Sequence, residues 1–287
     1  MPVAVIDIGT NTTRLLVAEV EDGEVVELER RTTITALGQG VDQSGRLADE
    51  AMDRVAEAIA AYREVIDRLA VERVVAVATS AMRDSANGPA FRDHLRERFG
   101  IDARTISGDE EARLTFLGAT AGRHDERQTV VIDIGGGSTE YVVGRAGEKP
   151  SFHLSTQMGS VRHTERFLHS DPPTRAKLQA LADDVRATVP DARAEHAIAV
   201  AGTPISLAAI DGAEEPHGYR LTLGACERIT AMLAALPLEE RRHVKGLHPD
   251  RAPTIVAGAL ILTESVRRLG LEEVEVSDRD ILHGAAL

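Results

Sequence analysis

The chain has 287 residues, 43% of them hydrophobic, and a formal net charge of −13 at pH 7, which argues against general nucleic-acid binding because phosphate contacts need a basic surface. The single cysteine, Cys226, excludes an internal disulfide, and the apolar run 255–262 is far shorter than the roughly 20 residues that cross a bilayer. The N-terminus has no basic signal-peptide segment, so we expect a cytoplasmic protein without membrane contact, long enough for two domains.

The first predicted element is a β-hairpin with a turn of glycine and hydroxyl residues. Asp7 lies in an apolar β-type run, and a second such run follows the turn residues Gly9, Thr10, Asn11 and Thr12. A carboxylate here can hold a divalent cation, and glycine lets backbone N–H groups approach a phosphate closely. Dinucleotide-binding and Walker-type loops open a helix instead. A single turn of this kind is most often an ordinary tight turn. It is evidence for phosphate binding only if a second copy is present.

A helix, a strand and a second helix are predicted next. Apolar residues from Met52 to Leu69 recur with a period of 3.6, and residues 76–82 form an apolar run that ends in small residues. Ser107, followed three residues later by Glu110, predicts a capping box and a helix that carries Glu111 in its first turn. From these residues alone, Glu111 is more often a carboxylate that is stabilised by the helix dipole than a catalytic residue.

The second half of the chain repeats the first. Asp133 lies 126 residues after Asp7 (133 minus 7), the turn residues are Gly135, Gly136, Gly137, Ser138 and Thr139, and Glu140 opens the next strand. Residues 199–205, which include Gly202 and Thr203, loosely match residues 76–82. Internal repeats outweigh local propensity in assigning a fold. We therefore predict two similar α/β domains with a ligand cleft between them and a boundary within residues 121–128.

Arginines could make the potential positive inside such a cleft despite the negative net charge. The candidates are Arg14, Arg83, Arg162 and Arg166. Arg162 and Arg166 share a helix face if the segment after Gly159 is helical, although a solvated charged face explains them equally well.

These segments together resemble the Ppx/GppA phosphatase family of exopolyphosphatases and guanosine pentaphosphate phosphohydrolases, within the actin, sugar kinase and Hsp70 superfamily. The resemblance rests on residues 7–12, 78–83, 106–113, 133–140, 158–162, 201–203 and 277–282. It implies an α/β fold of two duplicated actin-like (ribonuclease H-like) domains with an interdomain cleft, one over residues 1–124 and one over residues 125–287. It is closest in extent to the short form of the family, without the further helical domain of many members, and it makes a homodimer plausible.

The resemblance also implies roles for single residues. Glu111 corresponds to the catalytic glutamate that deprotonates the attacking water, and Arg83 would neutralise charge on the transferred phosphoryl group. Asp133 and Glu140 would bind Mg²⁺ or Mn²⁺, with Asp7 as a further ligand. The substrate-binding residues would be the two hairpin turns, Gly9, Thr10, Asn11 and Thr12 and Gly135, Gly136, Gly137, Ser138 and Thr139, together with Gly202 and Thr203.

The implied reaction is release of orthophosphate from the end of inorganic polyphosphate. Guanosine pentaphosphate is an alternative substrate, since it presents the same terminal phosphate and no motif separates the two. A kinase of the same superfamily and a non-catalytic alarmone-binding regulator are alternatives of other classes. Glu111 and its surrounding motif favour a hydrolase over a kinase, and the presence of Glu111, Asp133 and Glu140 together favours it over a non-catalytic regulator.

Overall fold

The computed structural model describes residues 1–124 and 126–287, and this part of the chain forms two compact units. The first comprises Met1–Arg123 and Arg279–Leu287, and the second comprises His124–Asp278. The predicted boundary between residues 124 and 125 adjoins Asp125, which lies outside the described residues, so that boundary stays a prediction. Residues 279–287 were predicted in the second domain, and the structure groups them with the first unit instead.

A mixed sheet forms the centre of the first unit, with the strand order β3-β2-β1-β4-β5. Its strands are β1 (Val3–Ile8), β2 (Thr12–Glu21), β3 (Glu24–Ile34), β4 (Arg73–Ala78) and β5 (Ala103–Thr105). Strand β1 pairs antiparallel with β2 and parallel with β4, and every residue of β1 is buried, as is typical of a central strand covered on both faces. Because β1, β4 and β5 are parallel, the segments that follow them begin at one edge of the sheet.

The helices of the first unit before residue 124 are α1 (Val41–Ser44), α2 (Asp49–Arg68), α3 (Ser80–Arg83), α4 (Gly88–Phe99) and α5 (Gly108–Thr120). Helix α2 buries Val55, Ile59 and Ile66, which confirms the predicted 3.6-residue period. The Ser107 side chain accepts a hydrogen bond from the Glu110 N–H at 3.2 Å, which confirms the predicted helix start. The Glu110 carboxylate accepts hydrogen bonds from Arg104, at 2.6 and 2.9 Å.

The second unit repeats this sheet topology, with the strand order β10-β11-β9-β6-β7-β8. Its strands are β6 (Thr129–Ile134), β7 (Thr139–Gly144), β8 (Phe152–Thr156), β9 (His196–Val200), β10 (Arg220–Thr222) and β11 (Glu273–Val276). Strand β6 pairs antiparallel with β7 and parallel with β9, as β1 does with β2 and β4. The predicted internal repeat is therefore present in the pairing of the strands.

The helices of the second unit are α6 (Ser160–Phe167), α7 (Arg175–Thr188), α8 (Gly202–Asp211), α9 (Leu223–Ala235), α10 (Leu238–Arg241) and α11 (Ile255–Arg268). Helix α6 shows that the segment after Gly159 is helical, which was the condition for Arg162 and Arg166 to share a helix face. Helix α11 is buried from Ile255 to Val266, and Ser265 in it bonds the Tyr141 hydroxyl at 2.6 Å. The late apolar run is thus part of a core helix. Within residues 1–124 and 126–287, no helix has both the length and the apolar character to cross a bilayer.

The last helix, α12 (Ile281–Ala286), explains why residues 279–287 group with the first unit. Its residues Leu282 and Ala286 are buried in one cluster with Val5 and Leu16 of the central strands. A Cβ atom added at Gly284 would overlap the Leu114 carbonyl oxygen of α5. Helices α5 and α12 therefore touch through their backbones, and burial of the apolar face of α12 fixes its place.

Candidate active site

The first hairpin turn is a tight backbone structure. The Gly9 N–H donates to the Thr12 carbonyl at 2.9 Å, and a Cβ at Gly9 would lie 2.9 Å from the same oxygen. Glycine is therefore required here, because a methyl group needs more room. The Thr10 hydroxyl oxygen accepts from the Ala81 N–H at 3.2 Å, which joins the turn to the start of α3.

Asp7, at the end of β1, is paired with a buried arginine. Its Oδ2 accepts from Arg14 Nε at 3.1 Å and from Nη2 at 2.7 Å, while Nη1 of the same arginine donates to Asp280. Burial raises the pKa of Asp7 although Arg14 opposes that shift. Burial acts in the same direction on Asp280, but Arg14 and Arg30 outweigh it, and the pKa of Asp280 is lowered. Arg14, a candidate for phosphate binding in the sequence, is thus engaged by two carboxylates.

Arg83 and Glu111, the two residues predicted to be catalytic, are in contact in the first unit. Arg83 Nη1 donates to Glu111 Oε2 at 3.2 Å and to the Ile106 carbonyl at 2.9 Å. The Glu111 residue is only 8% exposed, and it lies in the first turn of α5. An ion pair requires an ionised carboxylate, which is also the form that can accept a proton from water.

The second hairpin has the same turn geometry and a row of polar residues across three strands. The Gly135 N–H donates to the Ser138 carbonyl at 3.0 Å. Asp133 lies directly opposite Glu140, which in turn lies opposite Ser155 on β8. Directly opposed residues share one face of a sheet. Ser155 Oγ donates to Glu140 Oε1 at 2.7 Å, and both carboxylate residues are buried.

Gly202 and Thr203 begin α8, at the edge of the sheet where β9 ends. The Arg251 guanidinium occupies the position that a Cβ at Gly202 would take. Thr203 is 4% exposed and packs against α11, where a Cβ at Gly258 would lie 2.6 Å from its Oγ1. The environment of Thr203 is that of a packing residue, and ligand binding by Gly202 or Thr203 stays a prediction.

The carboxylates of the second hairpin suit a hard divalent cation that keeps part of its water shell. Mg²⁺ is usually bound through one or two carboxylates together with substrate phosphates and water. Asp133 and Glu140 supply two carboxylates on one face of the hairpin. Among the described residues there is no group of three or more His, Cys, Asp or Glu side chains arranged to hold a metal ion. The donors present fit a cation shared with a phosphate better than one enclosed by protein.

In each unit, the predicted residues collect at the carboxyl ends of parallel strands. In the first unit these are the Asp7 hairpin, Arg83 in α3 and Glu111 in α5, which follow β1, β4 and β5. In the second unit they are the Asp133 hairpin and Gly202, which follow β6 and β9. Ligands of open α/β sheets bind outside the carboxyl ends of the strands. Both units therefore place the predicted residues where such a fold binds its ligand.

Comparison with known proteins identifies the family to which the chain belongs. The chain belongs to the Ppx/GppA phosphatase family, whose model matches residues 16–287. It is therefore a phosphatase, and its two units have the predicted actin-like α/β fold. The sequence-based assignment to this family is confirmed.

Individual relatives match the chain over nearly its whole length. Exopolyphosphatase 2 of Mycobacterium tuberculosis is 38% identical, over 99% of this chain and 97% of the relative. The crystal structure of the Aquifex aeolicus member of the Ppx/GppA family is 30% identical, with a TM-score of 0.81 over 99% of this chain and 95% of that one. An exopolyphosphatase structure from Cytophaga hutchinsonii is 27% identical, with a TM-score of 0.91 over 99% and 96%.

The structure also identifies residues to which the sequence analysis gave no role. Asp280 lies in the segment 277–282 that supported the resemblance, so a signal was available, but its contact with Arg14 spans 266 positions along the chain. Ser155 carried no signal, because only the pairing of β7 with β8 places it opposite Glu140.

Proposed function

We propose that this phosphatase is an exopolyphosphatase that hydrolyses the terminal phosphoanhydride of inorganic polyphosphate and releases orthophosphate. The observation that carries the proposal is the contact of Arg83 with the buried Glu111, at the same sheet edge as a hairpin turn suited to phosphate. The proteins named exopolyphosphatase that match this chain over nearly its whole length support the same activity.

In the proposed reaction, a water oxygen attacks the terminal phosphorus and the bond to the bridging oxygen breaks. Glu111 accepts the proton of that water as general base. Arg83 holds the Glu111 carboxylate in its ion pair and stabilises negative charge on the transferred phosphoryl group. The shortened polyphosphate leaves with the bridging oxygen.

The two hairpin turns are proposed to bind the phosphates of the substrate. In the first turn the groups are the backbone N–H groups and hydroxyls of residues 9–12, and in the second they are those of residues 135–139. Successive backbone N–H groups in such turns form an anion-binding concavity that suits phosphate oxygens. Gly202 and Thr203 are proposed as further ligand contacts at the start of α8.

A divalent cation, Mg²⁺ or Mn²⁺, is proposed to assist. Asp133 and Glu140 would hold it, and Asp7, which binds Arg14 in the first unit, stays a predicted further ligand. When bound, such an ion neutralises charge on the phosphate oxygens. Ser155 orients the Glu140 carboxylate for this role by donating a hydrogen bond to its Oε1 atom at 2.7 Å.

The substrate is tested by orthophosphate release in Mg²⁺ from short polyphosphate, long polyphosphate, guanosine pentaphosphate and ATP, at equal concentrations of terminal phosphate. Selective release from polyphosphate is the expected result. Preference for guanosine pentaphosphate would replace the proposed substrate, and tight alarmone binding without release from any of the four would indicate a regulator. A homodimer stays a prediction, for sedimentation to test.

The general base is tested by Glu111→Gln, with Glu110→Gln as the matched control on the same helix turn. Glu111→Gln should lower kcat by about 10²- to 10⁴-fold with little change in substrate affinity, since the amide keeps the shape but cannot accept a proton. Glu110 pairs with Arg104 at the surface, so its variant should keep nearly full turnover. Near-normal turnover of Glu111→Gln would refute the assignment.

A further inference from the structure

The turn of each hairpin is held from behind by a second segment of its own unit. In the first unit this backing segment is residues 35–38, between β3 and α1. The Gly38 N–H donates to the Thr10 carbonyl at 2.8 Å. The N–H groups of Thr35 and Ala36 both donate to the Asn11 carbonyl, at 3.1 and 3.0 Å. Two successive carbonyls of the first turn are thus fixed by the same segment.

The second unit has the same device, built from the start of α6. Its backing segment is residues 159–162. The Ser160 N–H donates to the Gly135 carbonyl at 3.0 Å, and those of Val161 and Arg162 donate to the Gly136 carbonyl at 2.8 and 3.1 Å. Arg162 Nε donates to the Gly137 carbonyl at 2.7 Å. The first N–H groups of a helix have no partner within the helix, and here the carbonyls of the turn satisfy them.

These hydrogen bonds fix the direction in which the N–H groups of each turn point. In a trans peptide the N–H is antiparallel to the carbonyl of the preceding residue. With the Thr10 and Asn11 carbonyls directed at residues 35–38, the N–H groups of Asn11 and Thr12 point the opposite way. In the second turn, the N–H groups of residues 136–138 likewise point away from α6. Neighbouring N–H groups directed to one side form an anion-binding concavity.

In both units the backing segment lies so close to the turn that a Cβ atom at its glycine would overlap a residue of the turn. A Cβ at Gly159 would overlap the Gly136 carbonyl and lie 2.6 Å from the carbonyl carbon of Gly137, both of which are backbone atoms. A Cβ at Gly38 would overlap the Thr10 Cγ2 methyl group, and the next nearest atoms, Cβ and O of Thr10, would be 3.3 Å away. At Gly159 a Cβ would therefore displace the backbone of the turn, and at Gly38 it would displace the Thr10 side chain or the turn that carries it.

We infer that Gly38 and Gly159 are positioning residues for the substrate: they let the backing segments bind the turn carbonyls, and this aims the turn N–H groups at phosphate. The inference rests on the proposed function, because it assumes that both turns bind a polyphosphate. In the second unit, the positive end of the α6 dipole also meets the turn carbonyls, and it polarises the peptide groups that bind the anion.

The test at Gly38 uses the fact that one methyl group of Thr10 causes the predicted overlap. Gly38→Ala is made in the natural chain and in a Thr10→Ser chain, which keeps the hydroxyl but lacks that methyl. The dissociation constant for tripolyphosphate is measured by calorimetry on folded protein, together with KM and kcat for polyphosphate. Hydrogen bonds to charged groups are strong, so Gly38→Ala should raise the dissociation constant and KM at least about tenfold.

In the Thr10→Ser chain, the same substitution should cost less than about threefold, because the remaining contacts need only a small shift. An equal loss of affinity in both chains, or no loss in the natural chain, would overturn the inference. A fall in thermal stability with unchanged affinity of the folded protein would show a purely structural role and would also overturn it.

The second unit is tested in the same way with Gly159→Ala, and with Gly224→Ala as a control at an exposed glycine that has open space around its Cβ position. Loss of tripolyphosphate affinity in the first variant alone is the expected result. If the unchanged chain binds no tripolyphosphate and releases no orthophosphate, the proposed function fails, and the inference fails with it. If the unchanged chain is active and the glycine variants bind normally, only the inference fails.

Discussion

Removal of the Arg14 cation should strongly destabilise the first unit. Arg14 is the shared partner of Asp7 and Asp280, and these two residues are only 4% and 2% exposed. Arg14→Met keeps an apolar stem of similar length and removes the charge. The Oδ1 atom of Asp7 has no hydrogen-bond partner among the described residues. Without Arg14, the Oδ2 atom would lose its charged partner as well.

The expected loss follows from burial. Removing one partner of a buried ion pair typically costs about 3–5 kcal/mol, because a charge is left buried without compensation. Here two carboxylates are affected, and neither can move to water without unpacking the end of β1 or the start of α12. We expect a loss in the upper part of that range at neutral pH.

The loss should shrink as the pH falls. In the unchanged chain the pKa of Asp280 is held below its ordinary value of 3.8, so its stabilisation is present above that pH and disappears as the pH falls through the folded-state pKa. The raised pKa of Asp7 has the opposite effect on stability. Its stabilisation of the fold is complete below its ordinary pKa of 3.8 and is lost as the pH rises through the folded-state pKa. Without Arg14, burial should raise both pKa values, so acid would neutralise the carboxylates and relieve the penalty.

The assay is urea unfolding at neutral pH and at about pH 5, followed by hydrogen exchange of peptides from the first unit, since a two-unit chain need not unfold in one step. Arg104→Met is the matched control, because Arg104 pairs with Glu110 at the surface and such pairs contribute about 0–1 kcal/mol. A loss below 1 kcal/mol in Arg14→Met, or a loss that grows towards acid, would refute the reasoning.

Two further predictions concern the backbone contact between α5 and α12 and the hydrogen bond of Ser155 in the second hairpin. Gly284→Ala should destabilise the first unit by about 1–3 kcal/mol, because its methyl group meets the Leu114 carbonyl of α5 and not a movable side chain. Gly224→Ala is the control, and equal stability of the two variants in urea would contradict the close backbone contact between α5 and α12. Ser155→Ala should weaken Mn²⁺ binding about 10- to 100-fold, since it removes the hydrogen bond that orients Glu140. Unchanged affinity in an electron paramagnetic resonance titration would rule out this role of Ser155.

Much of the fold could be predicted because it is encoded in local patterns. The two apolar runs around Asp7 and Asp133 form hairpins because β-branched residues flank glycine-containing turns, and in the first turn a Cβ at Gly9 would lie 2.9 Å from the Thr12 carbonyl oxygen. The start of α5 follows from Ser107, whose side chain caps the helix through a contact only three residues away. Repetition of the hairpin indicated the duplicated fold, since one turn alone carries little information.

The candidate site could be predicted only in part, because its contacts join residues that are far apart in the sequence. Glu111 and Arg83 were identified through family resemblance, and their contact at 3.2 Å depends on β4 and β5 pairing side by side. Ser155 faces Glu140 only through the register of an edge strand. A pattern along the chain reports which face of an element is apolar, but it does not report which residue of another element lies opposite.

The sequence alone determined the two hairpins, their shared turn chemistry and the family. Tertiary structure decided that residues 279–287 join the first unit, that Arg14 binds two carboxylates and that Gly38 and Gly159 lie against the turns. The physical reason is range: turns and caps arise from residues a few positions apart, whereas burial of the α12 face and close backbone approach depend on segments up to 266 positions apart, as Arg14 and Asp280 are.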